Sequence, residues 1–205
     1  PSLAMPNAIQ FLNPMTGYLG GTNYNSGFEM KVYKTTDGGQ NWTKTAIWNN
    51  DWYLYRLFFI DEMNGWLTGH YDIQGIHNQD TSGNVICFSN NGGQGWEKGF
   101  DKENLSARSL FFTNAMQGWA VAGNGIFLGS TDGGQSWQMQ SYPPYNYLAD
   151  IWFSDSQTGW AVGDSGTVMQ TTNNGALGTG EIPSDNHRLK LFPNPACKNI
   201  TLTLD

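Results

Sequence analysis

Positive charge is scarce in this sequence. Lysine and arginine account for 10 of 205 residues against 17 aspartates and glutamates, a formal net charge of −7. No basic stretch extends beyond a couple of residues, which argues against a nucleic-acid partner, since such partners select a basic footprint. Cysteine is scarcer still. Cys87 and Cys197 are too few for a disulfide framework, and no cysteine–histidine cluster has the spacing of a zinc site; two unpaired thiols and a single bridge both remain open. No apolar run approaches the roughly 18 residues of a membrane-spanning helix, and no secretory leader is visible. Pro1 is not an initiator methionine, so the expectation is a mature or excised piece of a longer protein. GxSxG, HExxH and phosphate-loop motifs are also missing.

What the chain does have is aromatic residues (14%) and 26 glycines, with only 13% charged residues. Aromatic strands separated by glycine turns form an all-β profile. The length suits one large domain or two small ones with a real core.

The chain is also repetitive. One anchor pairs glycine with an aromatic: "TGYLGG" at Gly17–Tyr18, "NGWLTG" at Gly65–Trp66, "QGWAVAG" at Gly118–Trp119 and "TGWAVG" at Gly159–Trp160. The second is "TTDGGQNW" from residue 35, returning as "SNNGGQGW" from 89, "STDGGQSW" from 130 and a decayed "TTNNGALG" from 171. The aligned Asp37, Asn91, Asp132 and Asn173 are spaced by 54, 41 and 41 residues. The unit is therefore about 41 residues, with an insertion in the second copy.

Each unit reads as four short strands. In the fourth copy "LADIWFSD", "WAVG" and "TVMQTT" alternate with turns, and in the third "SWQMQ" supplies a fourth strand. Short strands joined by Asn/Asp–Gly turns form antiparallel hairpins. Four strands in about 40 residues is the size of a β-propeller blade.

The Asp–Gly–Gly phrase then reads as fold punctuation. Asp37, Asn91, Asp132 and Asn173 sit between strands three and four, where a side-chain oxygen accepts local backbone N–H groups. Gly39, Gly93 and Gly134, each with the glycine before it, and Gly175 supply backbone angles that a Cβ penalises. Trp42, Trp96 and Trp137 are expected to pack back between neighbouring blades.

The pattern (Ser/Thr)-x-(Asp/Asn)-x-Gly-x-x-Trp resembles the Asp-box, or bacterial neuraminidase repeat. Together with the "GW-A-V-G" anchor it looks most like the propeller family of the photosystem II stability/assembly factor, and sialidases and xyloglucan-cleaving propellers share the box. The resemblance covers about residues 8 to 178. It implies the fold and a structural role for the box residues rather than an activity. At the C-terminus, "LKLFPNPACKNITLTL", residues 189–204, resembles the opening of the type A sorting domain of the type IX secretion system. That resemblance implies a Bacteroidetes-type source, export to the cell surface or medium, and the type IX machinery as a partner.

The domain organisation expected is repeats over 1–175, a Gly/Pro/polar linker over 176–187 and the truncated start of a β-sandwich sorting domain over 188–205. Four repeats fall short of the usual six to eight, so a larger propeller or an open arc whose ends need a partner is expected.

In an antiparallel blade the turns after strands one and three share one face, and those after strands two and four share the other. The second face collects the irregular loops: "GTNYNSGFE", "HYDIQGIHNQDTSGN", "IWNNDWYLY" and "SYPPYNY". It would carry Tyr24, Trp48, Trp52, Tyr53 and Tyr55, with His70, Tyr71 and His77 from the second insertion and Tyr142, Tyr145 and Tyr147 from the last loop. Aromatics with polar tips on variable loops suit a glycan or a protein ligand. Catalysis has little support. Arg56 and Arg108 occupy matching positions in successive repeats, which points to structural equivalence rather than a substrate clamp. Among Asp51, Asp72, Asp80 and Asp150 nothing pairs two carboxylates as a glycosidase needs. The spacing of His70 and His77 around Asp72 and Asp80 matches no metal site. We expect a non-enzymatic, secreted or cell-surface propeller without cofactor that binds a protein or carbohydrate. The alternatives are a fragment of a propeller glycoside hydrolase and an assembly or scaffolding factor.

Overall fold

The structure is a computed structural model that describes residues 5–23, 29–48, 52–72, 82–103, 105–141, 146–173 and 190–191. Among these residues the chain forms four antiparallel sheets of four strands, each in simple sequential order. The first sheet comprises β1 (Met5–Phe11), β2 (Gly17–Asn23), β3 (Glu29–Thr35) and β4 (Thr43–Trp48). The second comprises β5 (Trp52–Phe59), β6 (Gly65–Asp72), β7 (Ser82–Ser89) and β8 (Glu97–Lys102). The third comprises β9 (Ala107–Phe112), β10 (Gly118–Ala122), β11 (Ile126–Ser130) and β12 (Gln138–Ser141). The fourth comprises β13 (Leu148–Phe153), β14 (Gly159–Gly163), β15 (Thr167–Thr171) and β16 (Lys190–Leu191). No helix in the described residues is long and apolar enough to cross a membrane.

The last strand differs from the sequence reading, which found no clear fourth strand in the fourth copy and placed Leu189–Phe192 in the sorting segment. Lys190 and Leu191 pair with Gln170 and Met169 of β15. A bare outer edge leaves backbone groups unpaired, and even a two-residue pairing covers part of it.

The apolar core is divided among three seams between consecutive sheets. Tyr18, Met30, Leu57, Phe59 and Cys87 belong to the first seam. Trp66, Ile86, Leu110, Phe112 and Leu128 fill the second. Trp119, Phe127, Ile151, Phe153 and Met169 fill the third.

One joint recurs in every seam. The aromatic after each anchoring glycine stacks on the phenylalanine that ends the first strand of the next sheet. Tyr18 lies on Phe59 with centroids 3.5 Å apart, Trp66 on Phe112 at 3.6 Å and Trp119 on Phe153 at 4.1 Å. The glycine is required because that phenylalanine ring also lies over the glycine of its own sheet: a Cβ on Gly118 would fall 2.5 Å from the Phe112 ring. The turn tryptophan then meets the same ring edge-on, as for Phe59–Trp96 at 5.8 Å and Phe112–Trp137 at 5.8 Å. Phe59 and Phe112 are thus enclosed on three sides. Trp66 adds a hydrogen bond across the seam, its Nε1 donating to the Gly133 carbonyl at 2.7 Å.

Candidate functional site

The strand order places the turns after first and third strands together, as the sequence predicts, and backbone bonds tie them. The amide of Gly38 donates to the Met15 carbonyl at 2.9 Å, Gly92 to Met63 at 2.9 Å and Gly133 to Met116 at 2.8 Å. Within the first Asp–Gly–Gly turn, Thr35 Oγ1 donates to Asp37 Oδ1 (2.8 Å) and accepts the Gly39 amide (2.9 Å). The Asn41 amide and Asn41 Nδ2 donate to the two carboxylate oxygens, each at 2.8 Å. Trp42 Nε1 donates to the Gly39 carbonyl at 3.0 Å. Ser130, Asp132, Gly134, Ser136 and Trp137 repeat the arrangement, as do Ser89, Asn91, Gly93, Gly95 and Trp96. Thr171 Oγ1 donates to Asn173 Oδ1 at 2.7 Å, so the fourth copy keeps the first half of the turn; Gly175 lies outside the described residues. The acceptor oxygens are used within the turn itself.

The exchange of Asp for Asn has a partner four residues on. The second oxygen of Asp37 and of Asp132 meets a donor, Asn41 Nδ2 or Ser136 Oγ. Asn91 carries an amide nitrogen instead, and the residue it faces is Gly95, where a Cβ would lie 2.9 Å from that nitrogen. A second such turn, absent from the sequence reading, closes the first hairpin of every sheet. Oδ1 of Asn13, Asp61, Asn114 and Asp155 each accepts the amides two and three residues ahead.

On the opposite face, Tyr24, His77, Tyr142 and Tyr145 lie outside the described residues, as do Asp51 and Asp80. Trp48 pairs with Met30 at the end of β4. The others resolve into three groups. Trp52 and Tyr71 are cross-strand partners whose rings stack at 5.2 Å. Lys98 Nζ stands 4.6 Å above the Tyr71 ring and 2.7 Å from Asp101 Oδ2, while Tyr71 Oη donates to Asp101 Oδ1 at 2.7 Å. Burial, then this carboxylate, push the Tyr71 phenol up to about 12. Tyr53 and His70 pair on the other side of the same sheet, with rings 6.0 Å apart.

The third group joins three sheets. The first strand of each sheet has one register irregularity against the second strand, and the residue left over is Asn7, Tyr55, Arg108 or Ala149. A bulge re-aims the side chain of its extra residue. The Arg108 guanidinium carbon lies 4.1 Å from the centroid of the Tyr55 ring and 5.7 Å from that of Tyr147. Burial raises the Tyr147 phenol and the Arg108 charge pulls against it. Alongside, Ser109 Oγ donates to Asp150 Oδ1 at 2.5 Å.

The bulge corrects the equivalence of Arg56 with Arg108. Counted back from Phe59 and Phe112, Arg108 matches Tyr55, and Arg56 matches Ser109. Arg56 instead pairs across the sheet with Thr68, and Arg56 Nε and Thr68 Oγ1 are buried with no hydrogen-bond partner among the described residues. Arg108 is the functional candidate that sequence reasoning set aside. The signal that would have found it is its place four residues before the anchoring phenylalanine.

No protein-family description matches this chain, and no curated protein resembles it in sequence. Solved structures do. An ancestral GH74 enzyme aligns over 84% of this chain with a TM-score of 0.59 and 19% identity. YCF48 from Cyanidioschyzon merolae aligns over 84% with a TM-score of 0.57 and 17% identity. The GH74 enzyme of Niastella koreensis aligns over 92% with a TM-score of 0.58 and 18% identity. The four sheets are β-propeller blades. This chain spans 23%, 52% and 31% of those three chains, respectively.

Proposed function

We propose that this chain is a non-catalytic, secreted or cell-surface propeller module that binds a protein or glycan ligand on its loop-rich face, with Tyr55, Arg108 and Tyr147 at the centre of contact. The observation that carries the reading is the convergence on exposed Arg108 of aromatic rings from the blades on either side. An arginine held between tyrosine faces keeps its N–H donors directed outward at reduced entropic cost, which suits carboxylate or hydroxyl groups set among apolar surface. Tyrosine and arginine are also the residues that dominate binding energy at contact centres.

In the same reading, the Ser/Thr-x-Asp/Asn turns are structural Asp-boxes, and the "PNP" segment over 189–204 is the start of a type IX sorting domain that directs export. Arrays of acidic and neutral glycans and of peptides, probed with the purified chain, test the proposal. Binding that weakens about tenfold or more in Arg108→Ala, with unchanged thermal unfolding, is the expected result. Release of reducing sugar from a bound glycan would replace the reading with a hydrolase.

A further inference from the structure

The second seam holds a row of polar groups that the repeat does not require. Arg56 on β5 and Thr68 on β6 are cross-strand partners, so their side chains share one side of the sheet. Thr68 is opposite Ile86, and Asn84 lies two residues before Ile86 on the same side of β7. Lys102 of β8 is opposite Asn84. Ile86 and Trp66 fix which side this is, since both fill the seam against the third blade. The row therefore crosses the second blade as guanidinium, hydroxyl, amide and ammonium. This seam has a further blade beyond it on each side, so its burial does not depend on an end face.

The polar atoms of the row are left over. Arg56 Nε, Thr68 Oγ1 and Asn84 Oδ1 are buried and have no hydrogen-bond partner among the described residues. Thr68 is 0% exposed and Asn84 7%. Arg56 forms no ion pair among the described residues, whereas Lys31, Lys34 and Lys98 each hold a carboxylate. The Lys102 ammonium reaches across to the Met139 sulfur at 3.9 Å, a weak acceptor. Elsewhere the fold does without such groups. The place of the Arg56–Thr68 pair is taken by Ala8–Gly20 in the first blade, Ser109–Val121 in the third and Asp150–Val162 in the fourth. Ser109 there is satisfied by Asp150. A polar atom buried without a partner costs stability, and the second blade carries three in one row.

We propose that this row binds a small oxyanion that carries its own hydroxyl hydrogen. Arg56 and Lys102 supply charge and N–H donors for the anionic oxygens, and the Thr68 hydroxyl donates or accepts as the ligand requires. Asn84 decides the class of ligand. Its Oδ1 is an acceptor, so it repels a bare anionic oxygen and takes a hydroxyl hydrogen. Hydrogenphosphate has such a hydrogen, and sulfate, with the same shape and charge, has none. Glycolate and acetate differ in the same way among carboxylates. The inference is independent of the Arg108 reading.

Titration calorimetry of the 205-residue chain with phosphate, sulfate, glycolate and acetate, at mildly alkaline pH and constant ionic strength, tests it. The expected result is a preference of about tenfold or more for the hydroxyl-bearing member of one pair. A preference for phosphate over sulfate assigns the row to tetrahedral anions, and one for glycolate over acetate assigns it to hydroxy acids. Asn84→Ala should erase the preference, and Arg56→Met should abolish binding. Thermal unfolding without added anion separates binding from support of the fold. Arg56→Met should unfold at no lower temperature than the wild type, because the unpartnered Nε is removed and an apolar stem remains. A clearly lowered midpoint would make Arg56 a structural residue and overturn the proposal. Equal affinity within both pairs, or no binding of any of the four anions, would also overturn it and leave these atoms to buried water.

Discussion

An added methyl group at position 99 would fall inside van der Waals distance of the Gly134 carbonyl oxygen, which belongs to the next blade. Gly99 is the extra residue of an irregularity in β8, between the pairs Ile86–Phe100 and Cys87–Lys98. Its backbone presses directly on the turn of the third blade. The counterpart in the first blade is Thr45, which turns its hydroxyl back to the Val32 carbonyl, and the facing turn stands farther off there, with a Cβ on Gly93 3.5 Å from Thr45 Oγ1. The obstacle at position 99 is main chain, which cannot rotate aside, so Gly99→Ala forces the seam apart. The expected cost is about 3 kcal/mol, the upper range for overpacking. Gly123→Ala is the control: its Cβ would meet only the Tyr147 ring at 3.4 Å, an ordinary contact. Urea unfolding of the two variants measures the difference, and equal midpoints would mean that the second seam is looser than these contacts indicate.

At the scale of the turn, four carboxylates are held ionised by the loops they close. Hydrogen bonds from the Asn41 backbone, then its side chain, lower Asp37, and backbone amides of Gln157 and Thr158 lower Asp155. For Asp61 and Asp132 burial acts upward and is outweighed by hydrogen bonds from Asn64 and Ser136. A folded value below the unfolded 3.8 means that the turns contribute full stability above 3.8 and lose it as the pH falls through the lower folded values. Stability against urea should therefore fall with decreasing pH across this acid range. Asp132→Asn combined with Asp155→Asn should flatten the slope, because two of the four groups no longer titrate. A slope unchanged by the double substitution would place the acid response elsewhere.

These turns also show what was legible beforehand. Ser130, Asp132 and Gly134 act close together in sequence, so their spacing exposes their role, and the blade topology follows from it. Arg108 meets Tyr55 and Tyr147, which lie far from it along the chain. Its position depends on a bulge, and a bulge shifts register by one residue without changing composition. The aromatics expected to form one surface were divided for a related reason. Strand alternation sends Trp52 and Tyr71 to one side of the second blade and Tyr53 and His70 to the other.

The described residues are held together seam by seam, and Cys87 reports on one seam. Its side chain is 2% exposed in the cluster between the first and second blades. Cys87 is a free thiol there, and burial pushes it up to about 12 while Lys98 pulls it down. A thiolate is the reactive form, so Cys87 should be inert to a maleimide near pH 8 until the seam opens. In a Cys197→Ser variant, which leaves Cys87 as the sole thiol, labelling should be slow in native buffer and reach the free-thiol rate in denaturant. The rate measures the opening of this seam alone, since the two end faces of the arc lie in other blades or on the far side of the first. Fast labelling in native buffer would mean that the first blade parts from the second under native conditions, and the arc would then be three blades with a loosely held fourth.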